Sequence, residues 1–257
     1  MLRAMKDSVY FLWDVITLGK GVKREINGCD IYFPAKWSRY FEADYEKENV
    51  DFIKAHGVEG MTFVDIGAHL GLISVIAAKI AKSGGKVYAF EPTPSTFQAL
   101  NRIVKINGLS EVILCINMAV SDKTGEANFL VDAWAGSNAN SLVERPDKER
   151  KAVRIPTIQL DSFVETSSIS RIDMIKIDVE GAELSALRGA MGVLRTLRPR
   201  VILALHPFLL NSNGDTLEHI YEFIDQLSYD ILYRGEVLAK EKFCGNGDFF
   251  DVHLVPR

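Results

Sequence analysis

The chain has 257 residues, 47% of them hydrophobic and 25% charged, which is ordinary globular composition and length enough for one large α/β domain with an extension. A formal charge of −4 and a pI of about 5.8 supply no domain-wide basic field, so nucleic acid is disfavoured as a partner. Cys29, Cys115 and Cys244 are odd in number, far apart and without a C-x-x-C pair; they offer no zinc or redox site and fit a reducing, cytoplasmic compartment.

Residues 1–19 mix Arg3, Lys6, Asp7 and Asp14 into an apolar pattern. That reads as an amphipathic helix, too charged to span a membrane and without the cleavage site of a signal peptide. Such a helix packs on its own domain or on a second copy of the chain, with membrane-surface contact as the alternative. Residues 1–55 are accordingly read as a helical extension, through which a homo-oligomer could form, and residues 56–257 as the main domain.

From residue 61 onward, apolar runs rich in β-branched residues alternate with helical stretches, the signature of a doubly wound, mostly parallel α/β sheet. Strands are expected at residues 61–66, 86–90, 112–117, 174–177 and 200–205. Helices are expected at 71–81, 94–107, 183–194 and 216–227. Two further strand-like segments, 126–131 and 152–157, interrupt the alternation and suggest an inserted β-hairpin at the edge of the sheet. The polar stretch 135–141 between them reads as a mobile lid. Two last strands, 231–233 and 249–255, close the chain, one of them expected to run antiparallel.

The segment Phe63-Val-Asp-Ile-Gly-Ala-His-Leu-Gly-Leu-Ile-Ser74 takes a buried strand through a glycine turn into a helix, which puts a loop at the edge where open α/β sheets bind ligands. A dinucleotide fingerprint fails here, because His69 and Leu72 stand where its second and third glycines belong. What remains, D-x-G-x-x-x-G with Gly67 and Gly71, brackets a wide turn suited to a nucleoside without phosphates. S-adenosylmethionine (SAM) is such a ligand, and Asp65 could hold its ammonium group. Glu91 ends the second strand 24 residues after Gly67, where a carboxylate accepts both ribose hydroxyls. For Asp65 the competing reading is a brace for the turn, and for Glu91 ordinary surface charge.

These pieces resemble the FkbM-type SAM-dependent methyltransferases. The matching stretches are Val64-Asp-Ile-Gly-Ala-His-Leu-Gly71, Phe90-Glu-Pro-Thr-Pro94, Ala119-Val-Ser-Asp122 with Gly125, Ile158-Gln-Leu-Asp161 and Ile175-Lys-Ile-Asp-Val-Glu-Gly-Ala-Glu183. His69 stands where the family usually has asparagine. The resemblance implies a seven-stranded, Rossmann-like class I methyltransferase sheet and methyl transfer to a hydroxyl of a small-molecule or glycan-like acceptor. It implies cofactor contacts from Asp65, Gly67, Ala68, His69, Gly71, Glu91, Pro92 and Asp178, with Ala119 bordering the adenine.

At the fourth strand, Asp178 and Glu180 lie two residues apart and Glu183 follows in the first helical turn. Asp178 and Glu183 could equally cap or complement that helix. An alcohol must lose a proton as it attacks a methyl carbon, and His206 at the end of the fifth strand is the expected general base, with Glu180 and Asp178 beside it as catalytic carboxylates. Asp178, Glu183 and His206 are also the residues that would hold a divalent cation, although no tight ligand spacing favours one. N-methylation and a SAM-binding protein without turnover remain the alternatives; the failed glycine fingerprint disfavours an oxidoreductase.

Overall fold

A computed structural model of the chain describes residues 19–132 and 150–257. All but the last residue of the helix expected at 1–19, and the lid expected at 135–141, lie outside them. The described chain begins with a hairpin, β1 (Val22–Ile26) and β2 (Cys29–Phe33), so the extension read as helical contains strands as well. Its tip is Asn27-Gly28, with φ of 49° and 72°, and two residues at positive φ are what a tight hairpin turn requires. A 3₁₀ turn (Ala35–Trp37) and α1 (Lys47–His56) follow. Ile26, Phe33, Val50 and Ile53 share one apolar core with Phe63 and Ile76 of the first strand–helix unit, which fixes hairpin and helix against the sheet.

In chain order come β3 (Thr62–Ile66), α2 (Leu72–Ala81), β4 (Lys86–Phe90), α3 (Pro94–Ile106), β5 (Ile113–Ile116), β6 (Ala119–Val120), β7 (Gly125–Asp132), β8 (Arg150–Ile158) and α4 (Leu160–Thr166). They continue with β9 (Met174–Ile177), α5 (Glu183–Gly189), α6 (Met191–Thr196), β10 (Arg200–Leu205), α7 (Pro207–Ser212) and α8 (Leu217–Gln226). The last elements are β11 (Tyr229–Tyr233), β12 (Glu236–Val237), α9 (Lys240–Cys244) and β13 (Phe250–Pro256). The central sheet has the order β12-β11-β13-β10-β9-β3-β4-β5. Seven of its strands are the seven expected, and the two-residue β12 adds an eighth at one edge. Strands β5, β4, β3, β9 and β10 are parallel, and β13 runs antiparallel between β10 and β11.

Two further expectations are corrected. The segments read as an edge hairpin do pair antiparallel as β7 and β8, but in a separate three-stranded sheet with β6, because β8 takes the backbone of Ala119-Val120 as its second neighbour. The single helix read over 183–194 is two. Gly189 lets the end of α5 press against the chain after β6, where an added Cβ would lie 2.0 Å from the Ser121 carbonyl oxygen. The Asp161 carboxylate then caps the start of α6, accepting from Gly192 N–H at 2.8 Å and Val193 N–H at 2.9 Å.

The chain builds β3, β4 and β5 outward in one direction and β9 and β10 in the other. The order therefore reverses between β3 and β9, and the crevice at their carboxyl ends is the place where such sheets bind ligands.

Candidate active site

Five loops at that edge surround one cavity of about 560 Å³. Asp65, Gly67, Ala68 and His69 line it from β3 and its turn, Glu91 and Pro92 from the end of β4, and Ala119 from the chain after β5. Asp178 and Glu180 reach it after β9, and His206 after β10. Gly71 and Glu183 stand behind these residues. Gly71, at φ 79°, opens α2 against Leu100, whose Cδ1 would lie 2.3 Å from an added Cβ.

The turn after β3 is packed without slack. Gly67 has φ 84°, and a Cβ there would fall 1.9 Å from the carbonyl oxygen of Asp178. Gly67→Ala therefore adds both left-handed strain and a backbone clash between the two loops, and it should lower stability by about 2 kcal/mol or more. Urea unfolding checks this, and an unchanged midpoint would show that the loops part easily.

Asp65 is buried, with Oδ2 accepting from Ser74 Oγ at 2.6 Å, while Oδ1 has no hydrogen-bond partner. Burial pushes its pKa up to about 6, against the pull of Lys176 and the Ser74 hydroxyl. Such an orphaned carboxylate oxygen would be satisfied by a donor supplied from the cavity. Glu91 is also buried, and its oxygens accept from His69 N–H at 3.0 Å and Thr93 N–H at 2.8 Å. These bonds aim the carboxylate and leave it lone pairs for a diol. Burial still pushes its pKa up to about 7, so hydroxyl donors from a ligand would favour the ionised form. The Asn117 side-chain amide donates to the carbonyls of Glu91 and Pro92, holding the second loop in place.

Lys176 was not singled out in the sequence. It lies in β9 beside Asp65 of β3, with Nζ 2.8 Å from Asp178 Oδ2 and 3.6 Å from Glu46 Oε2. Burial would lower its pKa, but Asp178, Glu46 and Asp65 raise it well above the ordinary value, so the ammonium persists. Burial likewise opposes ionisation of Asp178, and Lys176 with His206 outweighs it and holds that pKa below the ordinary value. A lysine inside a strand buried on both faces must be paired, and that was the available signal. Phe41, Tyr45, Glu46, Phe249 and Asp251 also line the cavity, from segments outside the regular alternation that carry no local sign of a site.

His206 follows β10 directly, with Nδ1 2.8 Å from Oε1 of Glu183, and the same oxygen accepts from Gly181 N–H at 2.9 Å. Its Nε2 lies 3.9 Å from Asp178 Oδ1. Burial lowers the imidazole pKa, yet Glu183, Asp178 and Glu180 together raise it above the ordinary value. A fully buried carboxylate at Nδ1 fixes the tautomer with the proton on that nitrogen and leaves the Nε2 lone pair toward the cavity. Among the described residues no group of three or more His, Cys, Asp or Glu is arranged to hold a metal ion. No helix among them is long and apolar enough to cross a membrane.

Residues 65–231 match the methyltransferase FkbM domain family. The hexuronic acid methyltransferase AglP of Haloferax volcanii is 24% identical over 161 residues, 63% of this chain and 62% of that one. The 31-O-demethyl-FK506 methyltransferase FkbM of Streptomyces tacrolimicus is 29% identical over 166 residues, 52% of this chain and 62% of that one. This chain thus spans about three-fifths of the length of these curated relatives. Among solved structures, one of a Clostridium thermocellum protein named as a putative rRNA-methylase superposes with a TM-score of 0.51 at 11% identity, covering 82% of this chain and 94% of that one.

Proposed function

Because the chain belongs to the methyltransferase FkbM family, we propose that it transfers a methyl group from SAM to a hydroxyl oxygen of a small-molecule or carbohydrate acceptor. The observation that carries this reading is the acidic cavity at the switch point, lined by both the orphaned oxygen of Asp65 and the aimed carboxylate of Glu91. Asp65 would hold the cofactor's ammonium group and Glu91 its ribose diol. Gly67, Ala68, His69 and Pro92 would form the walls of the nucleoside site, and Ala119 would border the adenine. When bound, SAM supplies a methyl carbon made electrophilic by a sulfonium, a charge that suits the surrounding carboxylates. Two relatives, one named for a hexuronic acid and one for an O-demethyl precursor, support a hydroxyl on a small or sugar-like molecule.

His206 is the proton acceptor in this reading. Glu183 accepts the hydrogen bond of the Nδ1–H, which stays on that nitrogen, so the acceptor hydroxyl gives its own proton to Nε2. Asp178 near that nitrogen favours the imidazolium that results, and Lys176 keeps Asp178 ionised. Glu183 is therefore a positioning residue that acts through His206. Glu180, at φ 48°, is held in a conformation uncommon for its type, which brings its carboxylate to the cavity wall.

Calorimetry with SAM, S-adenosylhomocysteine and NAD tests the reading. The first two should bind and NAD should not, since His69 stands where a dinucleotide turn needs the glycine that admits a pyrophosphate. Binding of NAD in preference to the other two would sink it.

A further inference from the structure

The family match covers residues 65–231, yet the cavity does not end there. Phe41, Tyr45 and Glu46 precede the match, Phe249 and Asp251 follow it, and all five line the same cavity. These two distant segments are joined in one network. Asn49 Nδ2 donates to Asp251 Oδ2 at 2.7 Å and to Glu46 Oε2 at 3.1 Å, and its Oδ1 faces His253 Nε2 at 3.1 Å. Lys176 ties Glu46 to the central sheet. Together they form one built wall of the cavity.

Its chemistry is specific. It offers three aromatic rings and two carboxylates, and among the described residues Lys176 is the only lysine or arginine lining the cavity, already shared between Asp178 and Glu46. Phe249 is 60% exposed, with its ring centroid 4.9 Å from that of His206, so a flat apolar face lies open beside the proton acceptor. One oxygen of Asp251 is buried without a hydrogen-bond partner.

Resting on the methyl-transfer reading above, we infer that this wall selects the acceptor, and that it suits an uncharged cyclic polyol of the pyranose type and rejects a uronate. The C–H face of such a ring stacks on Phe249, and its hydroxyls donate to Glu46 and Asp251, which as carboxylates only accept. Burial pushes the Asp251 pKa up to about 6, which still leaves it charged at neutral pH. A uronate would bring a further carboxylate into this enclosed acidic wall, where repulsion is weakly screened and no free cation of the wall answers it. The preference would separate this chain from the hexuronic acid methyltransferase to which it is similar.

The test uses the full chain with SAM and pairs of methyl glycosides and their uronates in gluco, galacto and manno configuration. Release of S-adenosylhomocysteine gives kcat/KM, and calorimetry gives the cofactor Kd of every variant. For at least one pair, the uncharged member should be methylated with kcat/KM about tenfold or more above its uronate. Asp251→Asn should narrow that gap, and Phe249→Ala should raise KM for the uncharged glycoside about tenfold, both with cofactor Kd within about twofold of the parent. Uronates used equally well or better would overturn the inference, as would a chain that binds cofactor yet methylates no glycoside. A chain that binds no cofactor overturns the methyl-transfer reading itself, and the inference with it.

Discussion

Glu91→Ala should weaken SAM binding by about ten- to a hundredfold, the equivalent of the roughly 1.5–3 kcal/mol carried by hydrogen bonds to a charged group. The expectation rests on where the carboxylate is held. It sits at the end of β4, buried, with one oxygen on His69 N–H and the other on Thr93 N–H, so it is aimed before a ligand arrives. Removing it also leaves those two N–H groups without their acceptor, and some of the loss would come from a loosened turn. Glu91→Gln separates the two effects, because its single carbonyl oxygen can still accept while the charge is gone. Calorimetry on both variants, beside their melting temperatures, gives the answer. Unchanged affinity in a folded Glu91→Ala chain would remove Glu91 from the ribose role.

His206→Ala should cut turnover by about 10²–10⁴-fold, the usual contribution of a positioned general base, while cofactor Kd stays nearly constant. The pH dependence follows from the same contacts. A protonated imidazole cannot take the acceptor's proton, and Glu183 with Asp178 and Glu180 raises the His206 pKa above its ordinary value despite burial. The rate should therefore climb as pH rises through that raised pKa and level off above it. Glu183→Gln removes the negative charge at Nδ1, so the rising limb should move to lower pH as the plateau falls through loss of orientation. Steady-state pH profiles of the parent and Glu183→Gln decide it. A limb that does not move would mean that another group sets it, and full activity in His206→Ala would place the proton acceptor elsewhere.

Much of the candidate site's lining was legible because its signals are local. The run from Phe63 to Ser74 carries strand, glycine turn and helix within 12 residues, and the expected strand at 174–177 ends where Asp178 enters the cavity. The roles within the acidic loop were less legible. Asp178, Glu180 and Glu183 look alike in sequence, but the fold turns Glu183 inward to hold His206 and leaves the other two on the cavity wall. Asp161 belonged to a matching stretch and turns out to cap α6, a task its own neighbours do not reveal.

By itself the sequence determined the parallel α/β sheet, the carboxyl-edge turn and the carboxylate at the second strand end. Each follows from hydrophobic period, glycine spacing and chain order, which act over a few residues or through the handedness of strand–helix–strand units. Only the tertiary structure decided the partners. The register of β3 on β9 places Asp65 beside Lys176, and the Asn49 amide reaches Asp251 across 202 residues of chain. Those pairings depend on which strands become neighbours and on burial that makes an unpaired charge costly, and neither is written in any one stretch of residues.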